Sequence, residues 1–521
     1  MGTDTKTDST DIGSDALGPD TSPQGGLSDA SSVDATSGEA GGPDGQTIDG
    51  GADTVPDVIG DMTVGPEAAK DADALMDAGD ESRPESGALA ACAMRFGDGD
   101  RQLAGAVAMD VRGNFAMAGS YIGSIDFGGG PLPIADSNFL GFTAVFDPHC
   151  SYVWSASTAE AVEAIAFAPD GSLVSSGTSV YGPHSTLRLS RTDARGAVTW
   201  SKVFATINTG GGVVPRGVAV DANGNIALVG QFDDQVDFGA GTLIGPASGA
   251  GTYVFIAKFD SSGNALWSHA YGSPDPTPPR QDDHQSTAVG FDSAGSIIAI
   301  GIYSGDIDFG GGSLGIPPYP HYKMFAAKLD GAAGAHVWSF AWQDASPSSG
   351  ASMTPDDGVV LGGGLQGVVD FGNGPLTLPD GGARSDFLVK LGSDGHARFS
   401  TGLGGDLGSY AGPSGFAASR TPVRISGDLN GSVDFGGGPL DGSAGGFVVS
   451  YAADGGYISS FAFGNGAFPN VVPYVTVGSQ QQMWLAGSFQ NVLSFGGGVL
   501  QFDAGALTSA GAEDIFIVQQ P

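Results

Sequence analysis

From about residue 90 onward, apolar residues recur at every second position in short runs bounded by Gly, Asn, Asp and Ser. That period belongs to β-strands with one buried face, and the polar clusters between the runs are turn chemistry. One stretch carries the whole pattern. Two runs between Gly217 and Gly230 flank Asp221-Ala-Asn-Gly224-Asn225, followed by Val236-Asp237-Phe238-Gly239 and a run from Tyr253 to Phe259. After Asp260-Ser-Ser-Gly263-Asn264, a last run from Ala265 to Gly272 surrounds Trp267. This predicts four strands, with tight Asp-to-Asn turns closing two of the hairpins.

The pattern repeats, and its period decides the architecture. A glycine ending the core of the second strand recurs as Gly119, Gly177, Gly230, Gly301, Gly362, Gly427 and Gly487, spaced 58, 53, 71, 61, 65 and 60 residues apart. The following loop recurs at Asp126, Asp237, Asp308, Asp370 and Asp434 as Asp-Phe-Gly, and at Ser494 as Ser-Phe-Gly. Only the second unit lacks it, passing through Val180-Tyr181-Gly182-Pro183. The last unit stops after its third strand, Asp514 to Val518, while an orphan run from Cys92 to Asp98, upstream of the first unit, matches a fourth-strand ending. Supplying the missing strand from the N-terminal side would remove two raw sheet edges. The expectation is an all-β fold: a seven-bladed β-propeller over 87–521, closed by an N-terminal strand.

Residues 1–86 differ in kind. They contain no Phe, Tyr or Trp, and 20 Asp and Glu stand against Lys6, Lys70 and Arg83, a net −17. Such a segment buries too little apolar surface to offset its ordering entropy, so a disordered acidic tail is expected there. Over all 521 residues the formal charge is −37, which disfavours nucleic acid and anionic lipid as partners. No apolar run is long enough to span a bilayer, and no secretory signal opens the sequence. Low charged content (15%), abundant Gly and only two cysteines nevertheless suit an extracellular or cell-surface protein, and a monomer is expected.

The hairpins at Val107–Asn114, Val218–Asn225 and Val289–Ser296 resemble the bacterial seven-bladed propeller repeat family, whose hairpin reads approximately V-D-x-x-G-N-x-Y-V-x-G. The resemblance spans roughly residues 90–521 and implies an exported or surface address more than a reaction. The segments Lys258–Trp267 and Lys328–Trp338 are similar to the tryptophan-docking repeat of quinoprotein propellers, with Trp154 and Trp200 in the same place. Phe399, Ser459 and Cys92 stand there in the fifth, sixth and closing units. In that family the tryptophan packs between blades. The quinoproteins' eight blades and vicinal cysteine pair are missing here, so no quinone cofactor is implied. By the same alignment Cys92 and Cys150 fall on neighbouring blades, where they form either a bridge or two unrelated buried thiols.

Candidate chemistry is sparse. Asp126, Asp237, Asp308, Asp370 and Asp434 either ring one face as a calcium site or each accept hydrogen bonds within their own glycine-rich turn. Asp110, Asp221 and Asp292, with Asn114 and Asn225, read as Asx turns. The seven histidines show no metal spacing, and no catalytic serine, phosphate-loop or zinc-protease motif occurs. Two segments break the repeat, 272–284 and 317–322, and offer Asp282, Asp283, His284, Tyr319 and Tyr322 for contact with a sugar or peptide. The expected function is a non-enzymatic binding or scaffold module for protein or carbohydrate. The alternatives are a glycoside hydrolase or lyase using paired carboxylates at the central channel, and a purely structural spacer.

Overall fold

The computed structural model describes residues 92–179, 185–208, 210–247, 249–273, 282–318, 321–377, 385–404, 410–418, 421–441, 445–464, 472–477, 482–495 and 506–520. The acidic segment 1–86, the irregular 180–183 of the second unit, Tyr319 and most of the 272–284 segment lie outside them. Among the described residues there is no helix, and the fold is all-β.

The strands hydrogen-bond into five four-stranded sheets, one eight-stranded sheet and four two-stranded hairpins. Two parallel pairs, Gly251 with Asp282 and Thr252 with Asp283, join the halves of the eight-stranded sheet, and each half is itself four-stranded and antiparallel. Numbered along the chain, the first strands of the units are Gln102–Met109, Ala161–Phe167, Val213–Val220, Asp282–Phe291, Ala345–Met353, Tyr410–Ala417 and Val472–Val477. Each packs against the next, and Val472–Val477 also packs against Gln102–Met109. The fourth strand of the last sheet is Cys92–Phe96, antiparallel to Asp514–Gln520 with Cys92 opposite Gln519. There the Arg95 guanidinium donates to the fully buried Asp514.

The recurring glycines are explained by close approach. A Cβ on Gly230 would lie 2.1 Å from the Val214 carbonyl oxygen, and one on Gly301 would lie 2.0 Å from that of Gln285. In the fifth unit the position belongs to Gly363, which faces Phe387 as Gly230 faces Phe255. The expected Gly362 is off by one. Three successive glycines, Gly362 to Gly364, carry no side-chain pattern from which the register is readable. The Asp-Phe-Gly phenylalanines plug the core: Phe127, Phe238, Phe309, Phe371 and Phe435 are all buried.

Neighbouring units are pinned by paired donors. Arg191 Nη1 and Trp200 Nε1 both donate to the Ser261 carbonyl, at 2.8 and 3.1 Å. Lys258 Nζ and Trp267 Nε1 converge likewise on Gly331 O (2.8 and 3.3 Å), and Lys328 Nζ and Trp338 Nε1 on Ser393 O (3.3 and 3.0 Å). Each acceptor lies in a turn of the following unit. A left-handed glycine in the same set of turns (Gly196, Gly263, Gly334, Gly395, Gly455) lies under the ring of Trp154, Trp200, Trp267, Trp338 or Phe399, where a Cβ would come within 2.6–3.0 Å. Glycine is required both for its positive φ and for its missing side chain.

Candidate functional site

Most first strands carry an irregularity at the same place. The pairing register shifts between Ala104 and Ala106, Val162 and Ala164, Pro215 and Gly217, Ser286 and Ala288, Pro347 and Ala351, and Pro413 and Gly415. A β-bulge leaves one residue out of the ladder and re-aims it. The residues so released include Gly105, Glu163, Arg216, Thr287 and Ser414, and each lines one cavity, joined there by Gly350 of the fifth unit and Tyr474 of the seventh. A second cavity, of about 450 Å³, shares Gly105, Glu163, Arg216, Thr287 and Tyr474 with the first and adds Ser120, Gln285 and Ser286. Elsewhere the wall is chiefly Gly, Ala and Val.

The polar side chains on this wall divide into two groups. Ser286 Oγ donates to Gly230 O and Ser414 Oγ to Pro473 O, so both serve the scaffold. The side chains of Ser120, Arg216, Gln285 and Tyr474 are hydrogen-bonded to no other described residue, and Glu163 Oε2 is buried without a partner. Burial pushes the Glu163 carboxyl above its usual range, against the opposing pull of Arg216 and Thr178. Burial likewise pushes the Tyr474 phenol up. Arg216 and Glu163 are the only charged residues among the described lining.

The residues singled out from sequence lie elsewhere. Each of the five loop aspartates caps its own turn: Oδ1 of Asp126 accepts from Gly128 N and Gly130 N at 2.8 and 3.0 Å, and that of Asp308 from Gly310 N and Gly312 N at 2.7 and 2.9 Å. Asp237, Asp370 and Asp434 repeat the arrangement. Among the described residues no group of three His, Cys, Asp or Glu is placed to hold a metal ion. Asp110, Asp221 and Asp292 close their hairpins by the same i+2 and i+4 bonds.

His284 is fully buried, with Nδ1 3.0 Å from Thr252 O and Nε2 3.0 Å from Asp306 O, and staples the third unit to the fourth. Asp282 is buried beside it, and Asp283 is half-buried, its carboxyl raised by burial and by Asp282 while His284 opposes. Tyr322 is exposed. Asp282 and His284 therefore belong to the packing between units and do not present themselves to an outside ligand. Cys92 and Cys150 are joined in a disulfide.

No family model matches the chain, so the repeat likenesses remain resemblances of sequence pattern. No curated protein matches it either. Among solved structures, Kuenenia stuttgartiensis hydrazine synthase aligns at 12% identity with a TM-score of 0.44, covering 73% of this chain and 92% of that one. Cobalt-substituted Synechocystis ACO aligns at 12% identity and TM-score 0.36, over 63% of this chain and 69% of the other. A subtype N10 neuraminidase-like protein of A/little yellow-shouldered bat/Guatemala aligns at 8% identity and TM-score 0.33, over 81% and 95%. At such scores these likenesses carry no functional argument.

The cavity residues have a faint sequence signature. The bulge column lies five positions before the turn aspartate in three units, Gly105 before Asp110, Arg216 before Asp221 and Thr287 before Asp292. Its neighbours stay small or apolar from unit to unit, while the column itself holds Gly, Glu, Arg, Thr, Ser or Tyr. Variation at one column of an otherwise regular repeat is the readable sign of a site.

Proposed function

We propose that the chain is a non-enzymatic binding module built on a seven-bladed β-propeller, with its ligand taken in the central cavity. The observation that carries the reading is the convergence of Ser120, Arg216, Gln285, Tyr474 and the unpartnered Oε2 of Glu163 on one cavity walled chiefly by the first strands. The order of first-strand contacts and the sharing of the last sheet between Cys92–Phe96 and Asp514–Gln520 support a closed ring. A disulfide supports an oxidising compartment, and with it an extracellular or surface location in which the acidic segment 1–86 is a spacer. No helix among the described residues is long and apolar enough to cross a membrane.

The hydrolase reading needs two carboxyl groups facing one glycosidic bond. Glu163 is the single carboxyl among the described residues of the wall, and the other charged residue there is Arg216. Binding is therefore favoured over turnover.

The test is thermal unfolding of the full chain against a panel of neutral and acidic mono- and disaccharides, amino acids and short peptides. A ligand that binds only the native state must raise the melting temperature. The expected result is a rise with at least one member that Thr287→Trp, placed on the wall shared by both cavities, abolishes. No shift with any member, or a shift untouched by Thr287→Trp, overturns the reading.

A further inference from the structure

The chemistry of the wall narrows the ligand. The protein carries −37 overall, yet the one cation on the cavity wall, Arg216, has no ion-pair or hydrogen-bond partner among the described residues. Its neighbour Glu163 forms no salt bridge with it; burial raises that carboxyl while the charge of Arg216 lowers it, and burial is the larger effect. An exposed guanidinium on the cavity wall, flanked by small residues and with no hydrogen bond to another described residue, is a receptor for a planar anion that accepts two parallel hydrogen bonds. Around it, the Gln285 amide and the Ser120 and Tyr474 hydroxyls each both donate and accept, the complement of a ligand bearing several hydroxyl groups. The volume of about 450 Å³ admits a monosaccharide-sized molecule and excludes a folded chain.

Resting on the binding-module reading above, we propose that the cavity binds a small hydroxylated carboxylate of the hexuronate class. Arg216 takes the carboxylate in a two-pronged hydrogen bond. Gln285, Ser120 and Tyr474 take the hydroxyls, and Glu163 accepts from a hydroxyl through its unpartnered Oε2. Glu163 then plays two opposed roles, acceptor for a neutral group and like-charge neighbour of the bound anion. Replacing it by Gln keeps an acceptor and removes the repulsion.

The experiment is calorimetric titration of the full chain with glucuronate and with glucose, which share a ring and differ in the carboxylate. Glucuronate is expected to bind and glucose to bind at least about tenfold more weakly, the scale of a lost charge-assisted hydrogen bond. Arg216→Met should remove the preference for glucuronate over glucose, and Glu163→Gln should increase it by strengthening glucuronate. Because Glu163→Gln predicts a gain, a misfolded variant cannot imitate support. Equal binding of the two sugars, lost in Thr287→Trp, overturns the carboxylate inference and leaves the binding module standing. Binding of neither sugar overturns the inference as well, whereas the broader reading falls only if the whole ligand panel fails.

Discussion

Cys150 holds φ of 64° in the turn after the third strand of its unit, and Cys92 meets it there from the neighbouring sheet. At five other junctions that turn position is a left-handed glycine beneath an aromatic ring, as at Gly263 under Trp200. The disulfide thus replaces ring-on-glycine docking at the junction where the two ends of the described chain share a sheet.

Opening this bridge should be costly. It closes a loop of 58 residues, and the chain-entropy relation assigns about 4 kcal/mol to such a loop. Cys92→Ser with Cys150→Ser is expected to lose up to that amount in urea unfolding. Cys92→Trp with Cys150→Gly, which installs the docking used elsewhere, should recover part of the loss; equal stability of the two double variants refutes the equivalence.

Lys258 and Trp267 act on one carbonyl. Removing either donor leaves Gly331 O with the other, so Trp267→Phe and Lys258→Met should each cost about 1 kcal/mol, and the double variant more than their sum. A double-mutant cycle measures the excess. Strict additivity would show that the two donors do not share the acceptor.

Glu163 predicts a pH dependence of stability. Its folded carboxyl sits above the unfolded value of about 4.3, so the folded state binds the proton more tightly. The associated stability is present below the unfolded value and is lost as pH rises through the folded one. Glu163→Gln, which cannot ionise, should match the parent in acid and exceed it at neutral pH. Parallel stability-versus-pH curves for the two proteins would contradict this.

Close approach at the second strand is equally testable. Gly230→Ala forces a Cβ to 2.1 Å from the Val214 carbonyl oxygen, whereas a Cβ on Gly402 meets nothing within 4 Å. The first change should destabilise by roughly 1–3 kcal/mol or more, and Gly402→Ala should be close to neutral. Chemical denaturation of both variants provides the comparison.

The loop aspartates should behave as turn caps. Asp308→Ala removes the acceptor for Gly310 N and Gly312 N and is expected to cost about 1 kcal/mol. That loss should be the same with and without millimolar calcium; a calcium-dependent difference would make the loop a metal site.

The strand period, the recurring unit, the positions of the Asp-Phe-Gly turns and the orphan strand at Cys92 were legible in the sequence, while the choice between turn capping and a metal for those aspartates was left open. These depend on local rules: alternation sets a half-buried strand, glycine permits close approach, and Asp with Gly shapes a turn. The register of the fifth unit was not legible, because Gly362, Gly363 and Gly364 offer no side chain to distinguish one alignment from the next. The cavity was not legible either. Glu163, Arg216 and Tyr474 lie tens to hundreds of residues apart, and a bulge that turns one residue out of the ladder leaves no local mark beyond a variable column. His284 is the converse case: an irregular segment and a polar side chain suggested an outside contact, and packing between two units buried it. Local chemistry determined the strands and their turns, while only the folded chain brought their released residues to one wall.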